Sequence, residues 1–155
     1  MRTSHGPREG PKPGARVHVY AGNPLDRGDR ERRDEAWIEA RSCDSESRFL
    51  PLRDLKVLVA GDGLAWIGAN DLTGFVDEVA PVFLGLLDGT AYFAVDASGF
   101  SGDSDQFAGG EGARFEDARN AATYLSSPEV GILAQAREQI DWHARHRFCS
   151  VCGHQ

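Results

Sequence analysis

Residues 82–96 read "VFLGLLDGTAYFAVD", and their pattern decides the fold. Two apolar runs flank Asp88-Gly89. That residue pair tolerates the positive φ angles of a type I′ turn, so the stretch is expected to be a β-hairpin with Leu87 opposite Thr90. Working back from it, "RFLPL" (48–52), "LKVLVA" (55–60) and "LAWIG" (64–68) are short apolar runs bounded by Gly, Asp and Pro. Such runs read as further strands. "RVHVY" (16–20) alternates apolar with polar and reads as a strand entering the core. "AGNPLDR" (21–27) then makes a turn through Gly22, Asn23 and Pro24. "DRERRDEAWIEAR" (29–41) is helix-like, with Ala36, Trp37 and Ala40 on one side and a solvated charged face elsewhere.

Beyond the hairpin, "ASGFSGDSDQFAGGEGA" (97–113) holds five glycines and reads as a long loop. Its "GGEG" lacks the lysine of a P-loop, and its acids would repel phosphate. "RFEDARNAATYL" (114–125) is expected to be one helix. Ser127 caps the next, with Pro128 in its first turn, where a missing N–H costs nothing. Leu133, Ala136 and Ile140 recur there at helical spacing and should face the core. The fold class is therefore α+β: a β-rich domain over 16–141, packed by two C-terminal helices. Residues 1–15, rich in Gly, Pro and charge, form a tail that buries too little apolar surface to offset its ordering entropy.

Composition narrows the function classes. The chain has 155 residues, 41% of them apolar, with 24 acidic against 17 basic side chains and a formal net charge of −7. A protein that holds nucleic acid by neutralising phosphates needs the opposite balance, so direct nucleic-acid binding is not expected. The N-terminus has no apolar core, so it is no signal peptide, and "VAPVFLGLL" (79–87) is too short to span a bilayer. Three cysteines, an odd number, do not suggest a disulfide framework, and cytoplasmic, reducing surroundings fit them better.

Two of those cysteines carry the chemistry. Cys149 and Cys152 stand in "FCSVCGH" directly after the last helix. Thiolates at C-x2-C spacing grip one tetrahedral Zn²⁺ from the same side, and Gly153 can turn the chain around the metal. A redox pair would belong at a helix N-terminus, where the dipole lowers a thiol pKa, and this pair follows a helix C-terminus. Two unrelated, metal-free cysteines are the bland alternative. A closed zinc site needs four ligands, normally with a second C-x2-C roughly 15 to 20 residues further on. Residues 142–155 are thus read as the helix end and the first knuckle of a zinc ribbon. His143 and His146 lie three apart, but among Arg145 and Arg147 they read as cations favoured at a helix C-terminus. His154 is a weak third ligand. The acids of "DSD" (103–105) and "DRGDRERRDE" (26–35) read as solubilising surface, and no nucleophilic triad or HExxH motif is present.

Four stretches together resemble a family: "AGNPLDR", "VFLGLLDGTAYFAVD", "FEDARNAATYLSSPEVGILAQAREQIDWHARHRF" and "CSVCG". They are similar to the N-terminal part of the NADH pyrophosphatases, or NAD⁺ diphosphatases, a zinc-containing branch of the Nudix hydrolases. The resemblance covers residues 17 to 155. It implies a β-rich N-terminal domain followed by a four-cysteine zinc ribbon and a catalytic Nudix domain. Such enzymes cleave NADH or NAD⁺ to a nicotinamide mononucleotide and AMP, and some remove NAD caps from RNA. Water attacks a phosphoanhydride while Mg²⁺ or Mn²⁺, held by clustered glutamates, neutralises the developing charge.

Carried over residue by residue, only Cys149 and Cys152 fall on functional positions, as two of the four zinc ligands. A Nudix box needs an Arg-Glu pair followed closely by Glu-Glu. This sequence contains no Glu-Glu dipeptide, and Arg137-Glu138 is followed by "QIDW". The chain is therefore expected to be catalytically inert: the N-terminal, structural or dimerising region of a longer enzyme whose Mg²⁺ or Mn²⁺ sits in another domain. Two other readings stand beside it. One is a standalone homodimer in which two chains share one Zn²⁺ through Cys149 and Cys152. The other is a nucleotide-binding surface without catalysis.

Overall fold

The computed structural model describes residues 22–74, 80–100 and 112–146. The expected strand at 16–20, most of the glycine-rich loop and the cysteine pair lie outside the described residues. The strands are β1 (Arg48–Arg53), β2 (Lys56–Ala60), β3 (Gly63–Leu64), β4 (Val82–Leu87), β5 (Thr90–Asp96) and β6 (Arg114–Glu116). The helices are α1 (Glu35–Ser42), α2 (Ala118–Ala121) and α3 (Ser127–Arg145). The six strands form one sheet in the order β3-β2-β1-β5-β4, with β6 on β2. Its centre is a parallel β1–β5 pair, and its other pairings are antiparallel.

The hairpin is β4–β5. Asp88 and Gly89 take φ angles of 49° and 83°, and Leu87 pairs with Thr90. The ladder between the two strands is irregular at one place. Phe83 pairs with Phe93 and Gly85 with Tyr92, so Leu84 is left without a partner in β5. Such a bulge inverts the alternation of side chains along a strand. Val82 and Leu84 accordingly pack on one core and Phe83 on the other, whereas beyond the bulge Leu87 joins the first and Leu86 the second.

The two cores occupy opposite sheet faces, because alternate residues of each strand contribute to them. Leu50, Leu52, Val57, Val59 and Ala94 meet α2 and α3 through Ala121, Val130, Leu133, Ala136 and Ile140. Phe49, Leu58, Phe93 and Val95 meet α1 and the 3-10 turn Ala69–Gly74 through Trp37, Ile38 and Leu72. Leu133, Ala136 and Ile140 are thus buried as their spacing predicts.

Several expectations need correction. Residues 29–41 do not form one helix: a 3-10 turn at Glu31–Arg33 stops at Asp34, whose carboxylate accepts the Trp37 N–H and starts α1 afresh. The restart rotates the helix so that Trp37 and Ile38 face the core while Ala36 and Ala40 are exposed. Residues 114–125 are not one helix either. Arg114–Glu116 pairs with β2 instead, and Asp117 caps a single α-helical turn. The cap of α3 is Ser126, not Ser127, since Glu129 accepts from both the amide and the hydroxyl of Ser126. Pro128 does lie in the first turn.

Candidate functional site

The polypeptide from Gly22 to Arg33 runs along β4 and the side of α3, joined to both by polar contacts. Asp26 and Leu86 form a two-way bridge, Asp26 N donating to Leu86 O at 2.8 Å and Leu86 N to Asp26 O at 2.7 Å. The backbones meet at Gly85, where a Cβ would collide with Asp26 O. Arg32 reaches over the strand and donates to Phe83 O at 2.9 Å and Leu84 O at 3.1 Å, with its guanidinium 5.2 Å from the centre of the Phe83 ring. Burial, then the neighbouring Arg27 charge, hold the Arg32 guanidinium below its ordinary pKa, with Asp29 opposing.

From the other side, buried Gln135 of α3 donates through Nε2 to Leu84 O at 2.7 Å. Its Oε1 accepts from Asn23 Nδ2 at 2.6 Å, and Asn23 Oδ1 accepts the Leu25 N–H at 3.0 Å. A carbonyl exposed by the bulge is thereby satisfied twice, and the incoming chain is pinned to the helix. Sequence reading took "AGNPLDR" for a simple turn and missed Asn23, Arg32 and Gln135.

Two clefts flank Arg32. The larger, about 890 Å³, opens between α1 and the C-terminal half of α3, with Ile38, Val82, Phe83 and Ile140 below and Glu35, Glu39 and His143 at the rim. The smaller, about 360 Å³, lies between Arg27 and α3 and is bounded by Gln139, Trp142 and His143. Asp34, one of the acids of the charged 26–35 stretch, accepts the Trp37 N–H at 3.0 Å as the cap of α1.

At the end of α3, His146 is the cap residue: its N–H and its Nδ1 both approach Trp142 O, at 2.9 and 2.8 Å. Its ring stacks on Trp142 with centroids 4.7 Å apart, and the His143 ring meets Trp142 edge-on at 5.1 Å. The two histidines thus lie at the helix terminus against the tryptophan. Cys149, Cys152 and His154 follow outside the described residues. Among the described residues no group of three or more His, Cys, Asp or Glu side chains is placed to hold a metal ion, and Cys43 is an exposed free thiol. No helix among them is long and apolar enough to cross a membrane.

The family model of the NADH pyrophosphatase-like rudimentary NUDIX domain matches residues 46–142. The chain belongs to this family. Its rudimentary NUDIX domain takes in the whole sheet and α3 as far as Trp142, so the Gln135–Leu84 bond lies inside it and Asn23 reaches it from outside. The chain is also similar to the NAD-capped RNA hydrolase NUDT12 of Macaca fascicularis, at 23% identity over 163 aligned residues. That alignment covers 83% of this chain and 35% of the relative, so the chain spans about a third of its length. With the NAD-capped RNA hydrolase NUDT12 of Homo sapiens, 33 residues align at 46% identity, 21% of this chain and 7% of the relative.

Proposed function

We propose that the rudimentary NUDIX domain acts as the non-catalytic N-terminal support of a Nudix pyrophosphatase. Its substrate would be a nicotinamide adenine dinucleotide, either NADH or NAD⁺ itself or the same group capping an RNA. The observation that carries this reading is the family match over 46–142 in a sequence without any Glu-Glu pair. A Nudix mechanism depends on clustered glutamates to hold Mg²⁺ or Mn²⁺ at the phosphoanhydride. The role left to this chain is architectural: a rigid sheet, a bulge carbonyl tied by Arg32 and Gln135, and a long helix leading to the cysteine pair.

Cys149 and Cys152 are proposed to supply two thiolates to a structural Zn²⁺. The other two would come from a further C-x2-C of the same polypeptide or from the same pair of a second chain, which would clip a homodimer. Thiolate pairs at this spacing suit zinc, and a reducing, cytoplasmic setting keeps them available.

The test incubates the 155-residue chain with NADH and Mg²⁺ or Mn²⁺ and follows nicotinamide mononucleotide and AMP by chromatography. No product is expected, whereas the same domain extended by a second C-x2-C and a Nudix box should turn NADH over. Hydrolysis by the chain itself would overturn the proposal. Zinc content by mass spectrometry decides the metal: about one zinc per two chains, lost with dimerisation in Cys152→Ser, supports the clip, and monomers without zinc at micromolar concentration count against it.

A further inference from the structure

Arg27 and Arg32 meet at the small cleft beside α3, and among the described residues neither forms an ion pair with a carboxylate. Carbonyls alone fix Arg32: Nε and Nη2 donate to Arg27 O at 3.3 and 3.2 Å, Nη2 also to Leu84 O at 3.1 Å, and Nη1 to Phe83 O at 2.9 Å. These bonds use all but one of the N–H groups of the guanidinium, and the remaining one is on Nη1. Burial and then the Arg27 charge oppose ionisation of Arg32 more than Asp29 favours it. An anion placed between the two arginines relieves that imbalance. The same cleft is lined by Trp142, which is 54% exposed, the one large apolar side chain left so among the described residues. It is held rather than loose, since His146 stacks on it at 4.7 Å and His143 meets it edge-on at 5.1 Å. A fixed indole with so much surface in water is a platform for a flat ring. Gln139, also on the lining, adds an acceptor, because its Oε1 is buried without a hydrogen-bond partner. Buried acceptors are ordinarily satisfied. The terminal amide torsion of a glutamine is soft, so an N–H donor in the cleft can turn this oxygen toward itself.

We infer that this small cleft is a binding site for a nucleoside monophosphate whose base carries an amino group. The phosphate would lie against Arg27 and the free Nη1 N–H of Arg32, the base on Trp142, and the amino N–H on Gln139 Oε1. The three features select this class together. Guanidiniums match phosphate in charge and in the geometry of their donors. An inorganic anion leaves Trp142 and Gln139 unused, whereas an amino-bearing base supplies both a π-face and a donor. Glu138 is the one carboxylate among the lining residues, and the two guanidiniums outweigh it. At about 360 Å³ the cleft stands near the lower end of the roughly 300 to 1,000 Å³ range of small-molecule sites, room for a mononucleotide rather than a dinucleotide. The inference rests on the proposed function in one respect: cleavage of a nicotinamide adenine dinucleotide yields monophosphates, so the cleft would give this domain a hold on a product or on one half of the substrate.

The test titrates AMP, adenosine and inosine monophosphate into the 155-residue chain by calorimetry. Inosine monophosphate has a carbonyl where AMP has its amino group. AMP is expected to bind at millimolar concentration or below, with adenosine and inosine monophosphate each weaker by about fivefold or more. Arg27→Gln should weaken AMP by about tenfold and leave adenosine unchanged. Trp142→Leu should weaken AMP and adenosine alike, by about fivefold or more. Both side chains are exposed, so the variants should keep the fold, and unchanged urea midpoints check this. A flat trace with AMP at millimolar concentration overturns the inference. Binding that both variants leave intact places the ligand elsewhere and overturns it too, as does inosine monophosphate binding as tightly as AMP. The protein extended by a second C-x2-C and a Nudix box separates the two readings. NADH turnover there without AMP binding to this chain sinks the cleft alone, and AMP binding without NADH turnover sinks the pyrophosphatase reading alone.

Discussion

Gln135 Nε2 donates a 2.7 Å hydrogen bond to Leu84 O, joining the buried side of the long helix to the residue that the β4 bulge leaves without a cross-strand partner. The same glutamine takes a 2.6 Å bond from Asn23, 112 residues earlier. One side chain therefore fixes three segments: the wrap from Gly22, the edge strand and α3. Replacing it by Met keeps the volume and removes both bonds. Arg32 still serves Leu84 O, but the Asn23 amide loses its 2.6 Å acceptor and keeps only the longer 3.4 Å bond to Gly131 O. The expected loss for Gln135→Met is about 1 to 3 kcal/mol, the usual penalty for stranding a buried polar group, read as a lower urea midpoint with an unchanged slope.

Glu129 works in a similar way at the other end of α3. Its Oε2 accepts from Ser126 N and Oγ at 3.2 and 2.6 Å, and its Oε1 accepts from Leu64 N at 2.9 Å. The carboxylate closes the capping box and also docks the helix on β3. Glu129→Ala loses both functions and is expected to cost about 2 kcal/mol, above the ~1 kcal/mol typical of an isolated cap. Ser126→Ala should cost less, because the Leu64 bond survives it. Equal losses for the two variants would show that the Leu64 contact contributes nothing.

These bonds also explain how far the sequence was legible. The hairpin could be read because Asp88 and Gly89 are chosen by local backbone geometry, with no help from distant residues. The buried stripe of α3 could be read because helical period alone places Leu133, Ala136 and Ile140 on one side. Arg114–Glu116 could not, since three residues show no period and become a strand only through Val57, Leu58 and Val59 of β2. Ser126 and Ser127 compete for one cap, and Glu129 three residues after Ser126 was the discriminating sign. For the candidate site, C-x2-C spacing is visible in any alphabet of motifs, whereas the Asn23–Gln135–Leu84 relay exists only once the chain has folded.

The acid limb of stability should report Glu116. Hydrogen bonds from Asn120, then Arg114, hold its carboxyl below the ordinary value of 4.5. A folded pKa lower than the unfolded one adds stability that is complete above the unfolded value and is lost as pH falls through the folded one. Glu116→Gln should therefore lower stability slightly at neutral pH and flatten the fall in stability below about pH 4.5. The carboxylate lies at the surface and is partly exposed, so the effect is small and screened by salt. Parallel acid limbs for wild type and variant would show that Glu116 is not involved.

Gly131 sets two effects against each other, and their magnitudes decide the sign. In a helix interior, Gly→Ala normally stabilises by about 1 kcal/mol. At residue 131, however, a Cβ would stand 2.5 Å from Asn23 N and 2.9 Å from Asn23 Cα, backbone that cannot swing aside like a flexible side chain. Moving it would stretch the Asn23–Gln135 bond and loosen the Asp26–Leu86 bridge that comes next on the same segment. Displacing packed backbone costs roughly 1 to 3 kcal/mol, so Gly131→Ala is expected to destabilise on balance despite its better helix propensity. Hydrogen exchange should locate the damage: faster exchange at Asp26 and Leu86, with the middle of α3 unchanged or slower. A gain in stability with those two amides still protected would mean that the wrap yields to the methyl group, and that the glycine is not what lets the N-terminal segment lie so close to the helix.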